Sequence, residues 1–216
     1  MSTRLLPFGL LLLPSLAHAE LDDKLWLKAG LRVKPTKSVK LELTQHIRYD
    51  TNITRQKSVM PELEVAYRPI SWLQLATAYR YVSERGKSGG FEPAHRFTVL
   101  SAVDPELGPV ELSYRLQYQE EHDSQSFEAA IRNKLGVKVD TNTRFTPLLT
   151  FELFTSPMNN QLSNTQHRIA AGCSIKITKR HRLTPRFIYQ TELDGDHDIG
   201  RIYSLGYEHR LPRKKK

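Results

Sequence analysis

Hydrophobic and polar side chains alternate one by one along most of the chain. The clearest stretch is residues 110–119, with the sequence VELSYRLQYQ. A period of two is that of a β-strand, because successive side chains point to opposite faces. The same pattern predicts eleven strands, at 25–34, 39–49, 59–68, 73–81, 96–103, 110–119, 127–138, 144–153, 168–177, 183–190 and 203–211.

The connections between these stretches alternate in predicted length. Short links fall at 35–37, 69–71, 104–108, 139–143 and 178–181. Longer polar links fall at 50–57, 84–94, 120–126, 156–166 and 192–198. This arrangement is typical of outer-membrane barrels, which must be closed because an open edge would leave backbone groups unpaired in hydrocarbon. We predict an all-β, closed, antiparallel, up-and-down transmembrane β-barrel over residues 20–211. Bacterial single-chain barrels have even strand numbers, so we expect ten or twelve strands, within a range of 10–12.

A soluble antiparallel barrel or sandwich in the periplasm would show the same alternation, with its apolar face inward. Three features favour the membrane barrel: strands longer than the ~5–6 residues common in soluble proteins, alternating link lengths, and aromatic residues near strand ends. The aromatic residues fall in two groups, as in interfacial girdles. They are Tyr49, Tyr79, Tyr81, Tyr118 and Tyr189 toward the longer links, and Tyr67, Phe145 and Tyr207 toward the short ones.

The N-terminus has the pattern of a secretory signal peptide over residues 1–19. Arg4 precedes a short apolar run at residues 5–13, and Ala17 and Ala19 provide the small residues of a cleavage site. The chain carries 32 Lys and Arg against 23 Asp and Glu. An exported protein does not normally meet chromosomal DNA, so this basic excess does not indicate nucleic-acid binding. Residues 212–216 form a basic C-terminal tail.

With the apolar face toward lipid, the opposite face lines the lumen and is rich in Arg and Glu. Arginine suits planar pairing with carboxylates in a crowded interior. Two roles stay open: an ion-pair network that closes the lumen, or a narrow conduit that prefers anions. The predicted lumen-lining residues are Arg48, Glu62, Glu64, Arg68, Arg80, Arg96, Glu111, Arg115, Glu128, Arg132, Arg144, Glu152, Arg168 and Arg186.

Catalytic and metal signatures are weak. The single cysteine, Cys173, excludes an intramolecular disulfide framework and makes a cysteine metal site improbable. Two acidic, histidine-containing segments, Glu120–Asp123 and Asp194–Asp198, lie in predicted loops. They could carry an acid–base pair or a cation site at the rim, but solvated loops explain them as well. We predict no enzyme, cofactor or metal; the alternatives are a rim-active hydrolase of lipid or peptide, or a soluble periplasmic binding barrel.

Several short strings, in order along the chain, carry a family resemblance. They are Trp26, then LEL at 41–43, IRY at 47–49, AYRY at 78–81, YRL at 114–116, IRNK at 131–134 and LTFELF at 149–154. In these features the chain resembles the bacterial family called domain of unknown function 2490. The resemblance implies an outer-membrane barrel of unassigned activity and no catalytic residues. The basic tail and terminal Leu211 depart from the aromatic end expected of that family. Expected partners are outer-membrane lipid, the barrel insertion machinery and a small anionic solute.

Overall fold

The structure is a computed structural model that describes residues 22–86, 88–124, 126–158, 161–193 and 199–212. The predicted signal peptide, the segment Asp194–Asp198 and most of the basic tail lie outside these residues. Within the described ranges the chain forms twelve β-strands, and no helix there is long and apolar enough to cross a membrane. The strands are β1 (Asp22–Val33), β2 (Val39–Asp50), β3 (Arg55–Ile70), β4 (Leu73–Arg85), β5 (Phe91–Val103), β6 (Glu106–Leu107), β7 (Val110–His122), β8 (Phe127–Val139), β9 (Phe145–Met158), β10 (Gln161–Lys176), β11 (His181–Glu192) and β12 (Ile199–Arg210).

Eleven of these strands form one closed sheet. Each long strand pairs antiparallel with the next long strand along the chain, and β5 pairs directly with β7. The two-residue strand β6 adds a small hairpin to β7. The sheet closes where β1 pairs with β12, in parallel, from Asp22 opposite Gly200 to Arg32 opposite Arg210.

The closed all-β barrel is confirmed, and so are antiparallel pairings at every junction except one. The expectation of ten or twelve strands is wrong, because all eleven alternating segments are strands. An odd number of strands that alternate in direction places the first and last in the same direction. The closure is therefore parallel by necessity.

The apolar face of the sheet points outward and the charged face points inward. Outward side chains stay highly accessible, such as Val99 at 62%, Leu43 at 54% and Leu149 at 54%. The buried polar side chains include Glu42 and Glu152. Only small apolar clusters lie inside, among them Ala170, Ile188 and Ile202 beside Trp26. This is the reverse of a soluble barrel, which packs its apolar face inward.

Two rims can be defined from the strand ends. The N-terminal rim is where β1 begins and holds the connections between residues 50–55, 85–91, 122–127, 158–161 and 192–199. The C-terminal rim is where β12 ends and holds those between residues 33–39, 70–73, 103–110, 139–145 and 176–181. The predicted alternation of short and long links is wrong, since both rims have connections of similar length. Strands such as β9 and β10 continue into the predicted long loop at 156–166, where polar side chains on both faces hide the two-residue pattern.

The wall is interrupted between β10 and β11. Paired positions stop at Gly172 opposite Arg186 and resume at Ile175 opposite Leu183. Pro185 lies in this gap and has no N–H to donate to the ladder. Gly172 sits close against the facing strand, because a Cβ at that position would lie 2.5 Å from the carbonyl oxygen of Pro185.

We predict that Gly172→Ala lowers the free energy of unfolding by about 1–3 kcal/mol, since the added methyl group forces the two strands apart. The measurement is denaturant unfolding of the folded barrel. Gly90→Ala is the matched control, because its Cβ would meet only Ser88 Oγ, at 3.9 Å. Equal effects of the two changes would contradict the close packing of β10 against β11.

Candidate functional site

Glu152 is the centre of an ion-pair network inside the barrel. Its carboxylate accepts a hydrogen bond of 2.7 Å from the Arg132 guanidinium. Lys134 Nζ lies 3.9 Å from the same carboxylate, and Arg168 Nη1 lies 4.0 Å from it. The three cations come from the neighbouring strands β8 and β10, and the register puts both Lys134 and Arg168 directly opposite Glu152. One carboxylate thus forms ion pairs with three cationic side chains.

A cavity of about 180 Å³ adjoins this network. Strands β1, β2, β4 and β8 to β12 contribute its walls. Seven cationic side chains line it against a single carboxylate, that of Glu152. The cationic side chains are Lys28, Arg48, Arg80, Arg132, Lys134, Arg168 and Arg186.

Two of these arginines have no carboxylate partner in the described part of the chain. Arg48 and Arg186 make no ion pair with any of the residues that the structure describes. The Nε atoms of Arg132 and Arg186 are buried without a hydrogen-bond acceptor, and so is Nε2 of His46, which lies 3.6 Å from Glu62 Oε1. An unpaired buried ion carries a desolvation penalty of about several kcal/mol. The cavity therefore has more donors and positive charge than the protein itself satisfies.

Aromatic rings hold three of the guanidinium groups in place. Arg48 and Arg168 lie over the Trp26 ring, at 4.3 and 5.0 Å from its centroid. Arg168 and Arg132 lie over the Phe154 ring, at 4.3 and 4.6 Å. Such contacts use the electron-rich ring faces to offset part of the cost of enclosing positive charge.

Charge pairing is denser toward the C-terminal rim. Glu42 is buried and accepts from Arg32 at 2.9 Å, with Lys28 at 3.4 Å and Lys40 at 3.5 Å. Arg32 also contacts Glu208 at 2.5 Å. Further pairs at this side are Lys40 with Glu64, Arg68 with Asp104, and Lys138 with Glu111. Toward the N-terminal rim, Arg96 pairs with Glu121 and Arg55 with Asp50.

The predicted lumen-lining residues fall into three groups. Six line the cavity: Arg48, Arg80, Arg132, Glu152, Arg168 and Arg186. Six others are partly buried elsewhere on the inward-facing positions: Glu62, Glu64, Arg68, Arg96, Glu111 and Arg115. Glu128 and Arg144 are exposed, Glu128 at the N-terminal rim and Arg144 at the C-terminal rim. Alternation identifies the face of a strand but not how close a residue lies to its end.

Among the cationic, histidine and aromatic side chains that line the cavity, sequence reasoning missed four: Trp26, Lys28, His46 and Lys134. The signal was present, since each falls on the same alternating positions as the inward arginines of its strand. Trp26 was overlooked because an aromatic residue on a polar face does not stand out as a lumen residue.

The acidic segment Glu120–Asp123 lies at the N-terminal rim. His122 is exposed, with Nε2 3.6 Å from Glu120 Oε2 and its ring against Phe127. Asp123 accepts hydrogen bonds from the backbone and hydroxyl of Ser126, as a turn-capping residue does. Among the described residues no group of three or more His, Cys, Asp or Glu side chains is placed to hold a metal ion.

Comparison with known protein families places most of the chain in a family model. Residues 23–199 match the model of a family described as "Protein of unknown function (DUF2490)". No curated protein and no solved structure matches the chain.

We predict that Glu152→Gln lowers the free energy of unfolding by about 3–5 kcal/mol, because it leaves three enclosed cations without their shared anion. The change keeps the shape of the side chain, so the loss is electrostatic. The measurement is denaturant unfolding in detergent. Glu128→Gln, at an exposed position, is the control and should change stability by less than about 0.5 kcal/mol. A similarly small effect of Glu152→Gln would contradict the network.

Proposed function

The chain belongs to the DUF2490 family, described as proteins of unknown function, and from that premise we propose that it is an outer-membrane β-barrel with a narrow, anion-preferring interior. The observation that carries this proposal is the sidedness of the closed sheet. Large apolar side chains cover its outer surface, and arginine and glutamate fill its interior.

The outer surface supports a lipid environment. Soluble monomers rarely expose contiguous apolar patches beyond a few hundred Å², whereas exposed apolar residues here occur on all eleven long strands. Aromatic side chains at strand ends resemble interfacial girdles. Phe91 and Phe127 are exposed where β5 and β8 begin at the N-terminal rim, and Tyr67, Phe145 and Tyr207 are exposed near the C-terminal rim. Tyr79 and Tyr118 are exposed nearer the middle of their strands.

The interior supports preference for anions over cations. The cavity near Glu152 is lined by seven cationic side chains and one carboxylate, so its field attracts negative charge. The ion pairs around Glu42 narrow the path toward the C-terminal rim, and an ion that passes must displace or rearrange them. The proposed passage is therefore selective and slow rather than a wide pore.

Location and assembly belong to the same proposal. Export requires the signal peptide proposed at residues 1–19, and insertion requires the machinery that folds barrels into the outer membrane. Lipid is then the main partner of the outer surface. The alternatives, a rim-active hydrolase and a soluble periplasmic binding barrel, make different predictions for the two experiments below.

We predict that Val99→Arg destabilises the barrel in lipid vesicles by about 2–4 kcal/mol, because Val99 lies outward in the middle of β5. Leu107→Arg is the matched control, since Leu107 is equally exposed but lies in β6 at the C-terminal rim. That change should cost only about 0–1 kcal/mol. In a soluble barrel both substitutions would fall within about 0.5 kcal/mol of zero. The membrane assignment would also be overturned if heating does not change the migration of the protein on a denaturing gel and the protein is recovered in the soluble fraction.

We predict an anion-selective conductance in planar bilayers, read from the reversal potential in a potassium chloride gradient. Arg115→Ala and Arg132→Ala remove interior positive charge and should lower the ratio of chloride to potassium permeability. Arg144→Ala, at an exposed rim position, is the control and should leave the ratio unchanged. A silent wild-type protein that stays silent in both interior variants would identify the interior as a structural plug. Hydrolysis of lipid or peptide that is lost in His122→Ala would instead favour the rim enzyme.

A further inference from the structure

We propose that the cavity beside Glu152 is a binding site for a small multivalent oxyanion of the phosphate class. This inference deepens the proposed function, because it names the class of solute that the interior holds. It depends on the closed barrel and its interior side chains, and it does not require that the protein conducts ions.

The cationic side chains around the cavity outnumber the carboxylates that pair with them among the described residues. Glu42 compensates Lys28, Glu62 compensates Arg80, and Glu152 is shared by three cations. Seven cationic side chains line the cavity, so four positive charges are left without a carboxylate of their own among the described residues. A ligand with two or three negative charges would neutralise most of that excess.

The free hydrogen-bond donors are arginine donors. Arg48 and Arg186, on β2 and β11, each present a guanidinium with five N–H donors and no carboxylate partner in the described chain. Arg48 occupies an inward-facing position but is only partly buried. Part of its surface therefore stays accessible, as expected for a residue that lines the cavity.

The aromatic contacts leave those donors available. Stacking on Trp26 or Phe154 engages the face of a guanidinium, whereas its N–H groups lie in the plane of the group. The rings therefore fix Arg48 and Arg132 without consuming their hydrogen bonds. Guanidinium groups held in this way form a preorganised site for oxygen acceptors.

Size and valence select the ligand class. At about 180 Å³ the cavity has room for roughly six waters at ~30 Å³ each, and it is smaller than the ~300 Å³ at which pockets for drug-sized ligands begin. A tetrahedral oxyanion offers oxygens in four directions to donors from several strands. A monocarboxylate offers only two oxygens in one plane and one charge, so it fits the donor set less well.

The test is isothermal titration calorimetry of the full-chain protein in phosphate-free detergent buffer. Inorganic phosphate is the probe, at an ionic strength held constant with chloride. We expect saturable binding of phosphate and none of acetate at the same concentration. Short-chain phosphatidic acid, offered in the same way, distinguishes a free ion from a lipid headgroup as the source of the phosphate group. If neither inorganic phosphate nor short-chain phosphatidic acid binds saturably, the proposal is overturned.

The variants Arg48→Gln and Arg186→Gln should each weaken phosphate binding at least tenfold. Without phosphate both variants should unfold at a higher temperature than the wild type, since each removes an uncompensated charge. A residue with a purely structural role would lower the unfolding temperature under both conditions. The control Arg180→Gln, in an exposed turn, should leave binding and unfolding unchanged. Wild-type affinity in both cavity variants would overturn the proposal.

The outcomes separate this inference from the membrane assignment. If the protein purifies without detergent, the same titration is done in aqueous buffer. Binding there would retain the oxyanion site while the membrane proposal fails. Membrane integration without phosphate binding would support the membrane proposal and overturn the oxyanion site.

Discussion

Charge compensation inside the barrel is the interaction on which the rest of the structure depends. Every strand that turns an apolar face outward must turn a polar face inward, where eleven strands crowd charged side chains together. Enclosed charges are tolerable only when they are paired and hydrogen-bonded. Glu42 and Glu152 meet this requirement by serving three cations each, so the network stays connected across several strands.

The balance between positive and negative side chains changes along the barrel axis. Near the C-terminal rim the carboxylates of Glu42, Glu64 and Glu208 share their cations closely. Around the central cavity positive charge exceeds negative charge, and aromatic faces replace carboxylates as neighbours of Arg48 and Arg168. The interior thus combines a region of close ion pairs near one rim with an electropositive cavity.

The alternation of side chains determined most of the fold in advance, because a period of two defines both the strand and its faces. All eleven predicted segments are strands, and the charged face is the inward one. What the pattern lacked was information about pairing and position along the axis. It could not show that β1 meets β12 in parallel, that β9 and β10 continue through polar residues 156–166, or that β6 exists at all. For the same reason the pattern did not show that Glu128 and Arg144 are exposed at the rims, or that Trp26 contributes to the cavity.

The parallel closure has a topological consequence for the chain as a whole. Because β1 and β12 run in the same direction, residue 22 lies at one rim and residue 210 at the other. Asp22 lies opposite Gly200, so ten residue steps at ~3.3 Å each separate the two positions by about 33 Å. A short linker cannot join them, so this barrel admits no simple circular permutant, unlike an even-stranded meander with both termini at one rim. Segments fused before β1 and after β12 would emerge on opposite sides of whatever boundary the barrel spans.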